Sequence, residues 1–561
     1  MTTRYREALT AVERALQRRL EATVGADPGS TPTVALSPAR DPAHGDFATA
    51  AALAAGKLWK RNPLEVAQSV IASGVKGLTG VATIDVKAPG FINLRMAPAF
   101  WGDVVAEIVA LGAAYGKSDA LKSDGPILLE FVSANPTGPL NVVQGRSSSI
   151  GATLAACLRF GGATVSTETY VNDAGTQLDL LADTLFARYA TLCGVPTPLP
   201  EDGYQGDYLV DAAERLRARD GDKWLHAPIE ERRRTLRTFG RDTIVDQQRA
   251  DLEYFRVRFD RWFSEASLHE SGAVDDVLED LKRRGVTYEQ EGALWLRSTQ
   301  FGDDKDRVLR RSDGRPTYIA SDAAYHRDKL ARGNKRLIDI WGPDHHGYIT
   351  RLNAIVSALG APGSLEVLTA QQVTLKRAGE VVAMSKRAGN IVTLREVLDE
   401  VGVDAARFFF CMRALESPLV FDLGLAVAQS ADNPVYYVQY GHARIASILR
   451  KAAETGREAL LERAQASRDI AKLAQPSELA LVRRLADFPR TVVDAAKARA
   501  PHRLAEYARD VATDFHGFYT ECIVLSDDEA LTSARLSLCI ATRTIIASAL
   551  DLLGVLAPEK M

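Results

Sequence analysis

The first segment that could carry chemistry runs from Glu130 to Arg146 and reads EFVSANPTGPLNVVQGR. An apolar strand, Ile127 to Val132, leads into a turn that contains Gly138, and a helix follows. A helix N-terminus presents backbone N–H groups and the positive end of its dipole, so this pattern favours the binding of a phosphate. An ordinary strand-to-helix turn would contain the same glycines, and on the glycines alone the two interpretations stand equal.

A second segment, VVAMSKRAGN, begins at Val381 and lies between an extended stretch and a helix that starts near Leu394. A lysine on a loop can bring its ammonium group to a transferring or leaving phosphate, which gives Lys386 a chemical role. Ser385 and Arg387 could add further donors. Taken alone, the segment is better explained as a solvated basic loop.

A third segment contains the run Asp344-His345-His346 after an apolar strand that ends at Trp341. Two histidines beside an aspartate could indicate a metal site. Adjacent residues point in different directions, however, and the other histidines do not cluster with these in sequence. We therefore expect no metal site here.

The elements that must position these segments change character along the chain. Residues 1–117 combine helices with a small sheet, and from 118 to 425 strands alternate with helices, as in a parallel sheet with crossover helices. A charged, mostly helical insertion is predicted at about 176–305, and residues 426–561 show helical periodicity throughout. The predicted fold is multidomain: an N-terminal α+β domain, an α/β Rossmann-type catalytic domain with an insertion, and a C-terminal all-α bundle.

Composition excludes several classes of protein. The chain has 561 residues, of which 46% are hydrophobic and 25% charged, and this composition is typical of globular domains. The five cysteines form no Cys-x-x-Cys pair, which argues against a disulfide framework and a zinc knuckle. We expect no export signal, no membrane span and a cytoplasmic location. The net charge of −3 neither requires nor excludes a nucleic-acid partner.

Together the segments resemble the class I arginyl-tRNA synthetases over nearly the whole chain. SANPTGPL, from Ser133, is similar to the lead-in of the family's His-x-Gly-His motif, and MSKR, from Met384, is similar to the core of its Lys-Met-Ser-Lys-Ser loop. Further matches lie outside these motifs. They are GDFAT from Gly45, PGFIN from Pro89, YVNDAGTQ from Tyr170, NPVYYVQY from Asn433, HAR from His442 and APEKM from Ala557.

Two departures from the family pattern concern ATP. Asn141-Val142-Val143-Gln144 stands where the family commonly has His-x-Gly-His, so both imidazoles and the glycine are replaced. Amides can still donate hydrogen bonds to a phosphate or ribose, but they carry no charge. Ala383 stands at the first lysine of the loop, which leaves Lys386 as the loop's main positive group for pyrophosphate.

The resemblance implies an arginine site lined by Glu130, Asn135, Tyr318, Asp322 and His345. Carboxylates match the planar donor fork of a guanidinium, so Glu130 and Asp322 suit arginine. The alternative is that they are structural carboxylates paired with the chain's own arginines. The resemblance also implies catalytic roles for Lys386, Asn141 and Gln144. The ATP-binding residues that it implies are Pro136, Gly138, Asn141, Gln144, Gly145, Asp344, Met384, Ser385 and Lys386.

For tRNA, the resemblance assigns the C-terminal bundle to the anticodon region and the first domain to the outer corner. Tyr436, Tyr437, Tyr440 and Arg444 could stack on bases and contact phosphates. The basic runs at 232–234 and 282–284 could also contact phosphate, although such runs are usually solvated helix faces.

The expected function is ATP-dependent activation of L-arginine and its transfer to tRNA(Arg). ATP enters with Mg²⁺ as a substrate complex, no tightly bound cofactor is needed, and a monomer is expected. Two alternatives remain open. One is a paralogue that adenylates a cationic substrate for a non-tRNA acceptor, which would not need the bundle. The other is a non-catalytic tRNA-binding regulator, which would tolerate the altered motif.

Overall fold

The N-terminal part of the protein is an α+β unit. The computed structural model describes residues 4–23, 31–39, 41–382, 392–467 and 469–561. Strands of this part form an antiparallel sheet of order β1-β2-β4-β3, against which the helices pack. Its elements are α1 (Arg4–Ala22), β1 (Ser37–Pro38), β2 (Phe47–Thr49), α2 (Ala51–Trp59), α3 (Pro63–Ile71), β3 (Val81–Lys87), β4 (Phe91–Met96) and α4 (Pro98–Leu111).

The central part alternates strands and helices as the sequence predicts. Its first half consists of β5 (Ile127–Glu130), α5 (Val142–Phe160), β6 (Val165–Val171), α6 (Gln177–Leu192), α7 (Tyr208–Asp220), α8 (Lys223–His226), α9 (Ile229–Tyr254), β7 (Arg261–Ser264), α10 (Ala266–Glu270), α11 (Ala273–Arg283), β8 (Thr287–Gln290), β9 (Ala293–Leu296) and β10 (Arg307–Arg310). Its second half consists of α12 (Tyr318–Ala331), β11 (Arg336–Trp341), α13 (Ile349–Ala358), β12 (Leu365–Thr369), β13 (Val373–Arg377), β14 (Glu380–Val381), α14 (Leu394–Val401), α15 (Val403–Phe410), β15 (Leu419–Asp422) and α16 (Leu423–Val427).

A five-stranded parallel sheet of order β12-β11-β5-β6-β7 forms the centre of this part. The chain leaves β5 toward β6 on one side and later returns to β11 on the other side. The strand order therefore reverses between β5 and β11. In open α/β sheets the crevice at the carboxyl end of such a reversal is the usual ligand site.

The segment predicted as a mostly helical insertion, 176–305, differs from that expectation beyond Tyr254. Helices α6 to α9 are present, but β7 then joins the edge of the central sheet beside β6. Strands β8, β9 and β10 form a separate antiparallel sheet. Because β7 has only four residues and begins with an arginine, it gives no apolar run that would mark it as a sheet strand.

A smaller sheet of order β14-β13-β15 lies after the central sheet in the chain. The predicted ATP loop follows β14 and precedes α14, and residues 383–391 lie outside the described residues. The positions of Ala383, Met384, Ser385 and Lys386 are therefore not part of the structural description.

The C-terminal part is a helical bundle, as predicted. The predicted apolar stripe Leu504, Tyr507, Val511, Phe515 and Phe518 is buried. The last helix is long and apolar enough to cross a membrane by composition, but 72% of its most apolar window is buried inside the protein, as in a core helix. The bundle consists of α17 (Pro434–Glu454), α18 (Glu458–Gln465), α19 (Pro476–Ala486), α20 (Phe488–Lys497), α21 (His502–Glu521) and α22 (Glu529–Leu553).

One buried arginine joins the bundle to the central part. Arg407 of α15 is 2% exposed and donates hydrogen bonds to the carbonyls of Leu553 at 2.7 Å and Phe255 at 3.1 Å. Gly554 ends α22 with φ 70°, and a Cβ at this position would lie 2.2 Å from the Arg407 guanidinium. The left-handed backbone and the close approach of the Arg407 guanidinium both require glycine here.

We expect Arg407→Met to lower the midpoint of thermal unfolding clearly, because each buried carbonyl left without a donor costs about 1–3 kcal/mol. Arg377 is the control, since it forms an exposed ion pair with Glu400. Arg377→Met should cost only about 0–1 kcal/mol. Differential scanning calorimetry of both variants checks this, and equal shifts would contradict the assignment.

Candidate active site

The candidate site residues lie at the carboxyl edge of the parallel sheet. Glu130 is the last residue of β5, Asn172 and Asp173 follow β6, and Glu265 follows β7. The turn Pro343–Tyr348 follows β11. Parallel strands bring these ends to one edge, so residues far apart in sequence meet at the crevice that the strand reversal creates.

Glu130 is buried, and its charge is already matched by a lysine. Its Oε2 accepts from Lys329 Nζ at 2.5 Å and from the Tyr325 hydroxyl at 2.8 Å, and its Oε1 accepts from Ser133 Oγ at 2.6 Å. Lys329 is 0% exposed and also contacts Asp339 Oδ1 at 2.9 Å. Burial alone would lower the pKa of Lys329, but the carboxylates of Asp339 and Glu130 raise it, so the amine stays charged.

Asp322 and Glu265 differ from Glu130, because neither forms an ion pair with a lysine or arginine of the described residues. The Tyr348 hydroxyl donates to Asp322 Oδ2, and Tyr170 hydrogen-bonds Glu265. Burial raises the pKa of Asp322. Burial likewise raises the pKa of Glu265 to about 7, and the nearby charge of Asp322 contributes while the Tyr170 bond opposes the shift. Among the described residues, the site thus contains two acidic groups that form no ion pair with a lysine or arginine.

The corner that carries Glu265 is fixed by Asp173, whose side chain is buried. Asp173 accepts from Ser264 Oγ at 2.7 Å and from the Ala266 backbone N–H at 2.9 Å. These bonds fall on the two residues that flank Glu265. Arg241 of α9 approaches Asp173 at 3.5 Å. The segment after β6 therefore positions the carboxylate that follows β7.

The predicted residues of the turn after β5 are held by two polar residues that the sequence interpretation missed. Gln248 of α9 is 3% exposed and donates to the carbonyls of Asn135 at 3.2 Å and Gly138 at 2.8 Å. The Tyr208 hydroxyl donates to the Thr137 carbonyl at 2.7 Å. Within this turn Asn135 is exposed and Pro136 is buried.

Tyr318 is the first residue of α12 and is 82% exposed, so it stands at the edge of the candidate site. It lies one helical turn before Asp322 on the same helix face. The turn Pro343–Tyr348 carries Asp344 and His345, whose side chains lie outside the described residues.

Asn141 and Gln144 form a capping box at the start of α5. Asn141 Oδ1 accepts from the backbone N–H groups of Val143 at 3.0 Å and Gln144 at 3.1 Å, and Gln144 Oε1 accepts from the Asn141 N–H at 2.8 Å. Both amide oxygens are therefore used by the helix itself. The two amide NH₂ groups remain the donors that each side chain could offer a ligand.

Gly145 faces the protein interior. A Cβ at this position would lie 2.5 Å from Leu394 Cδ1 and 3.3 Å from Phe410 Cε2. The glycine therefore allows α5 to pack closely against α14 and α15. Contact of this residue with ATP stays a prediction.

A patch of aromatic and basic side chains lies on α17 and α21 of the bundle. Tyr436 and Tyr440 stack with ring centroids 6.2 Å apart, and the Arg444 guanidinium lies 5.1 Å from the rings of Tyr440 and Tyr519. Tyr437 packs against His516 with centroids 4.7 Å apart. The structure thus brings together all four predicted tRNA-binding residues.

Most side chains of the two basic runs in the central part already form ion pairs or ring contacts within the chain. Arg233 pairs with Asp183 at 3.1 Å, and Arg232 lies 3.5 Å over the Phe186 ring. In the other run, Lys282, Arg283 and Arg284 pair with acidic residues of α11. These contacts favour solvated helix faces over phosphate sites.

Comparison with known protein families agrees with this architecture. The arginyl tRNA synthetase N terminal domain matches residues 8–96, the class I (R) tRNA synthetase catalytic domain matches 105–409, and the DALR anticodon binding domain matches 438–561. A methionyl-tRNA synthetase of Mycobacterium tuberculosis shares the fold, with a TM-score of 0.52 at 13% identity over 78% of this chain and 92% of that chain. The fold and the site therefore define a class I aminoacyl-tRNA synthetase.

Individual relatives narrow the class. The arginine–tRNA ligase of Symbiobacterium thermophilum is 46% identical over 99% of this chain and 98% of that protein. That of Geobacillus thermodenitrificans is 46% identical over 94% of this chain and 95% of that protein. The arginyl-tRNA synthetase structure of Thermus thermophilus aligns with a TM-score of 0.75 at 24% identity, over 99% of this chain and 100% of that one. The chain belongs to the arginyl-tRNA synthetase family.

The capping box predicts a stability difference between two variants of Asn141. Asn141→Ala removes the side-chain acceptor and should cost about 0.5–2 kcal/mol, whereas Asn141→Asp keeps it and adds a charge that the helix N-terminus favours. We therefore expect a lower thermal midpoint for the alanine variant and an unchanged or higher one for the aspartate variant. Equal losses in both, measured by circular dichroism at 222 nm, would show that the cap does not stabilise α5.

Proposed function

We propose that Asp322 and Glu265 together select arginine in an enzyme that activates L-arginine with ATP and transfers it to tRNA(Arg). The protein is an arginine–tRNA ligase, an aminoacyl-tRNA synthetase. The observation that carries the proposal is a buried carboxylate, Glu265, and a partly buried one, Asp322, neither of which pairs with a lysine or arginine of the described residues. A guanidinium presents donors in a planar fork and supplies the missing positive charge.

Glu130 has a different part in this arrangement from the one expected at first. Its carboxylate is neutralised by Lys329 and held by Tyr325 and Ser133, so its charge is not available to balance that of the substrate. We assign Glu130 to the wall of the arginine site, where it fixes the start of the loop that leads to Asn135. Tyr318 and His345 complete the proposed set.

The proposed reaction is an in-line attack of the arginine carboxylate on the α-phosphate of ATP, and pyrophosphate leaves. Positioning and charge stabilisation supply most of the rate, and no covalent enzyme intermediate is needed. The NH₂ groups of Asn141 and Gln144 would donate to the nucleotide from the start of α5, and Lys386 would provide the positive charge for the leaving group. Mg²⁺ would arrive bound to the ATP phosphates.

The remaining ATP contacts of the proposal come from the turn after β5, the turn after β11 and the loop after β14. Backbone groups of a turn at a helix N-terminus are suited to phosphates because their N–H groups converge. The proposed residues are Pro136, Gly138, Gly145, Asp344, Met384 and Ser385.

For tRNA, we propose that the Tyr436, Tyr437, Tyr440 and Arg444 patch stacks on bases of the anticodon region and contacts phosphate. Domain limits of 1–117, 118–425 and 426–561, a monomeric state and a cytoplasmic location are part of the same proposal.

A paralogue with a non-tRNA acceptor would not need the aromatic and basic patch of the bundle. A purely tRNA-binding regulator would not need an uncompensated acidic pair.

The titration of Glu265 predicts proton release on arginine binding. Below its pKa of about 7 the free carboxyl is protonated, and the guanidinium favours the ionised form. Binding should therefore release up to about one proton per arginine at pH 6 and almost none at pH 8.5. Affinity should rise with pH across this window.

The measurement is isothermal titration calorimetry in two buffers of different ionisation enthalpy. Glu265→Gln should abolish the proton release. Asp322→Asn should weaken binding by about 1.5–3 kcal/mol but leave the proton release unchanged. Citrulline, which has a neutral urea group instead of the guanidinium, should not bind measurably. The absence of proton release by the parent protein at pH 6 would refute the assignment of Glu265.

The aromatic patch predicts a selective loss of tRNA affinity. Arg444→Gln should weaken tRNA binding by about tenfold and reduce its salt dependence, because one phosphate contact is removed. Arg463 of α18, which pairs with Asp469 outside the patch, is the control, and Arg463→Gln should bind tRNA as the parent does. Fluorescence binding titrations at several salt concentrations test this. Similar tRNA affinities for both variants would exclude the patch as a tRNA-binding surface.

A further inference from the structure

We infer that Arg146 is a positioning residue for adenylate formation, because it fastens the helix of the first ATP segment to the small sheet of β13, β14 and β15, which the second segment follows in the chain. The inference rests on the proposed function of these two segments. Arg146 directly follows Asn141-Val142-Val143-Gln144-Gly145 and lies in the second turn of α5. Its side chain points into the protein and is 0% exposed, so it does not touch substrate itself.

The guanidinium of Arg146 holds two connecting segments at once. It donates to the carbonyl of Gln371 at 3.0 Å, two residues before β13, and to the carbonyls of Ala414 at 2.7 Å and Ser417 at 2.8 Å, ahead of β15. These segments also bond each other, since the Leu419 N–H donates to the Gln372 carbonyl at 3.0 Å. One side chain of α5 thus fixes the beginnings of both parallel strands.

A second attachment joins α5 to the residues that follow the ATP loop. The Leu394 N–H donates to the Leu140 carbonyl at 2.7 Å, and Asn141 forms an isolated β-bridge with Thr393. Leu394 also packs against the face of Gly145. The residues that follow the ATP loop are therefore attached at the start of α5, and Arg146 attaches the segment ahead of β13 to the second turn of the same helix.

The chemistry of Arg146 is suited to this role. Its partners are carbonyl oxygens, and a planar fork can serve several of them in fixed directions, which a lysine cannot do. Burial lowers the pKa of the guanidinium to about 10, so it keeps its charge near neutral pH. A buried charge is costly, and it is maintained here for three main-chain contacts that set the relative position of two segments.

The arginine pocket does not share these contacts. Asp322 lies on α12 and Glu265 follows β7, and neither element belongs to the small sheet of β13, β14 and β15. Loss of the Arg146 contacts should therefore displace the ATP-handling groups relative to each other and leave arginine recognition intact. A displacement of about 1 Å can lower a rate by about 100-fold.

Arg407 supplies a matched control for the experiment. It is also a buried arginine that donates to main-chain carbonyls, and burial lowers its pKa to about 10 as well. Its partners lie at the end of α22 and directly after α9, not in the segments ahead of β13 and β15 that Arg146 holds. Arg146→Lys and Arg407→Lys both keep a charge and lose the fork.

The test is arginine-dependent ATP–pyrophosphate exchange in the presence of tRNA, with thermal midpoints measured in parallel. We expect comparable falls in midpoint for both lysine variants, but only Arg146→Lys should lower kcat, by about 10- to 100-fold, with the KM for arginine within about twofold of the parent. Arg146→Met should be slower than Arg146→Lys. If the methionine variant does not fold, the two lysine variants decide the question by themselves.

Three outcomes would overturn the inference. Equal losses of kcat in Arg146→Lys and Arg407→Lys would assign Arg146 a structural role only. An effect confined to the KM for arginine would place it with the amino-acid pocket. If the parent protein gave no exchange even with tRNA, the proposed function would fail, and this inference would fail with it. That failure is visible in the parent protein alone, whereas failure of the inference alone appears only in the variants.

Discussion

The structure depends on how carboxylates withdrawn from water at one edge of the parallel sheet are balanced. A buried charge is stable only when it is paired or coordinated, and most acidic groups at this edge obey that rule. Lys329 is shared by Glu130 and Asp339, and Arg332 holds Glu168. Asp322 and Glu265 remain without a cation among the described residues. A cationic substrate can balance the excess negative charge of Asp322 and Glu265. Specificity for a cationic amino acid therefore arises from a deficit of positive charge in the site.

Hydrogen bonds from buried arginines to main-chain carbonyls are the second recurring interaction. Arg146 and Arg407 each donate to carbonyls that accept no backbone hydrogen bond, Gln371 and Ser417 for Arg146 and Leu553 and Phe255 for Arg407, and each joins segments that are remote in sequence. Since an unsatisfied buried carbonyl is costly, such bonds give definite positions to connections that would otherwise be set only by nonspecific apolar packing. Arg407 joins the helical bundle to the central part, and Arg146 sets the relative position of the ATP segments.

Local patterns in the sequence predict most of the fold, but they predict neither strands β7 to β10, which follow Tyr254, nor the pairing of charges. Strand β5, helix α5 and the buried stripes of the bundle follow from apolar spacing within each segment. Strand β7 has only four residues and begins with an arginine, so the sequence gives no strand pattern that would place Glu265 at the end of a sheet strand. Glu130 meets Tyr325, 195 positions away, and no local pattern reports such a contact. The Asn141 and Gln144 capping box does have a local signal, an amide followed three residues later by glutamine, and this signal is independent of the contacts with ATP that the family resemblance implies.

Helix α22 packs against α4 of the N-terminal part and α5 of the central part as well as against its own bundle, and all three contribute to one apolar cluster. On a translating ribosome the N-terminal and central parts therefore emerge before the helix that covers them. Nascent domains usually fold in order of emergence, yet here an apolar surface on the earlier parts must wait for the last helix. Chaperones that shield such surfaces would matter most in that interval, and a polypeptide released early would be marked for proteolysis by the surface it leaves uncovered.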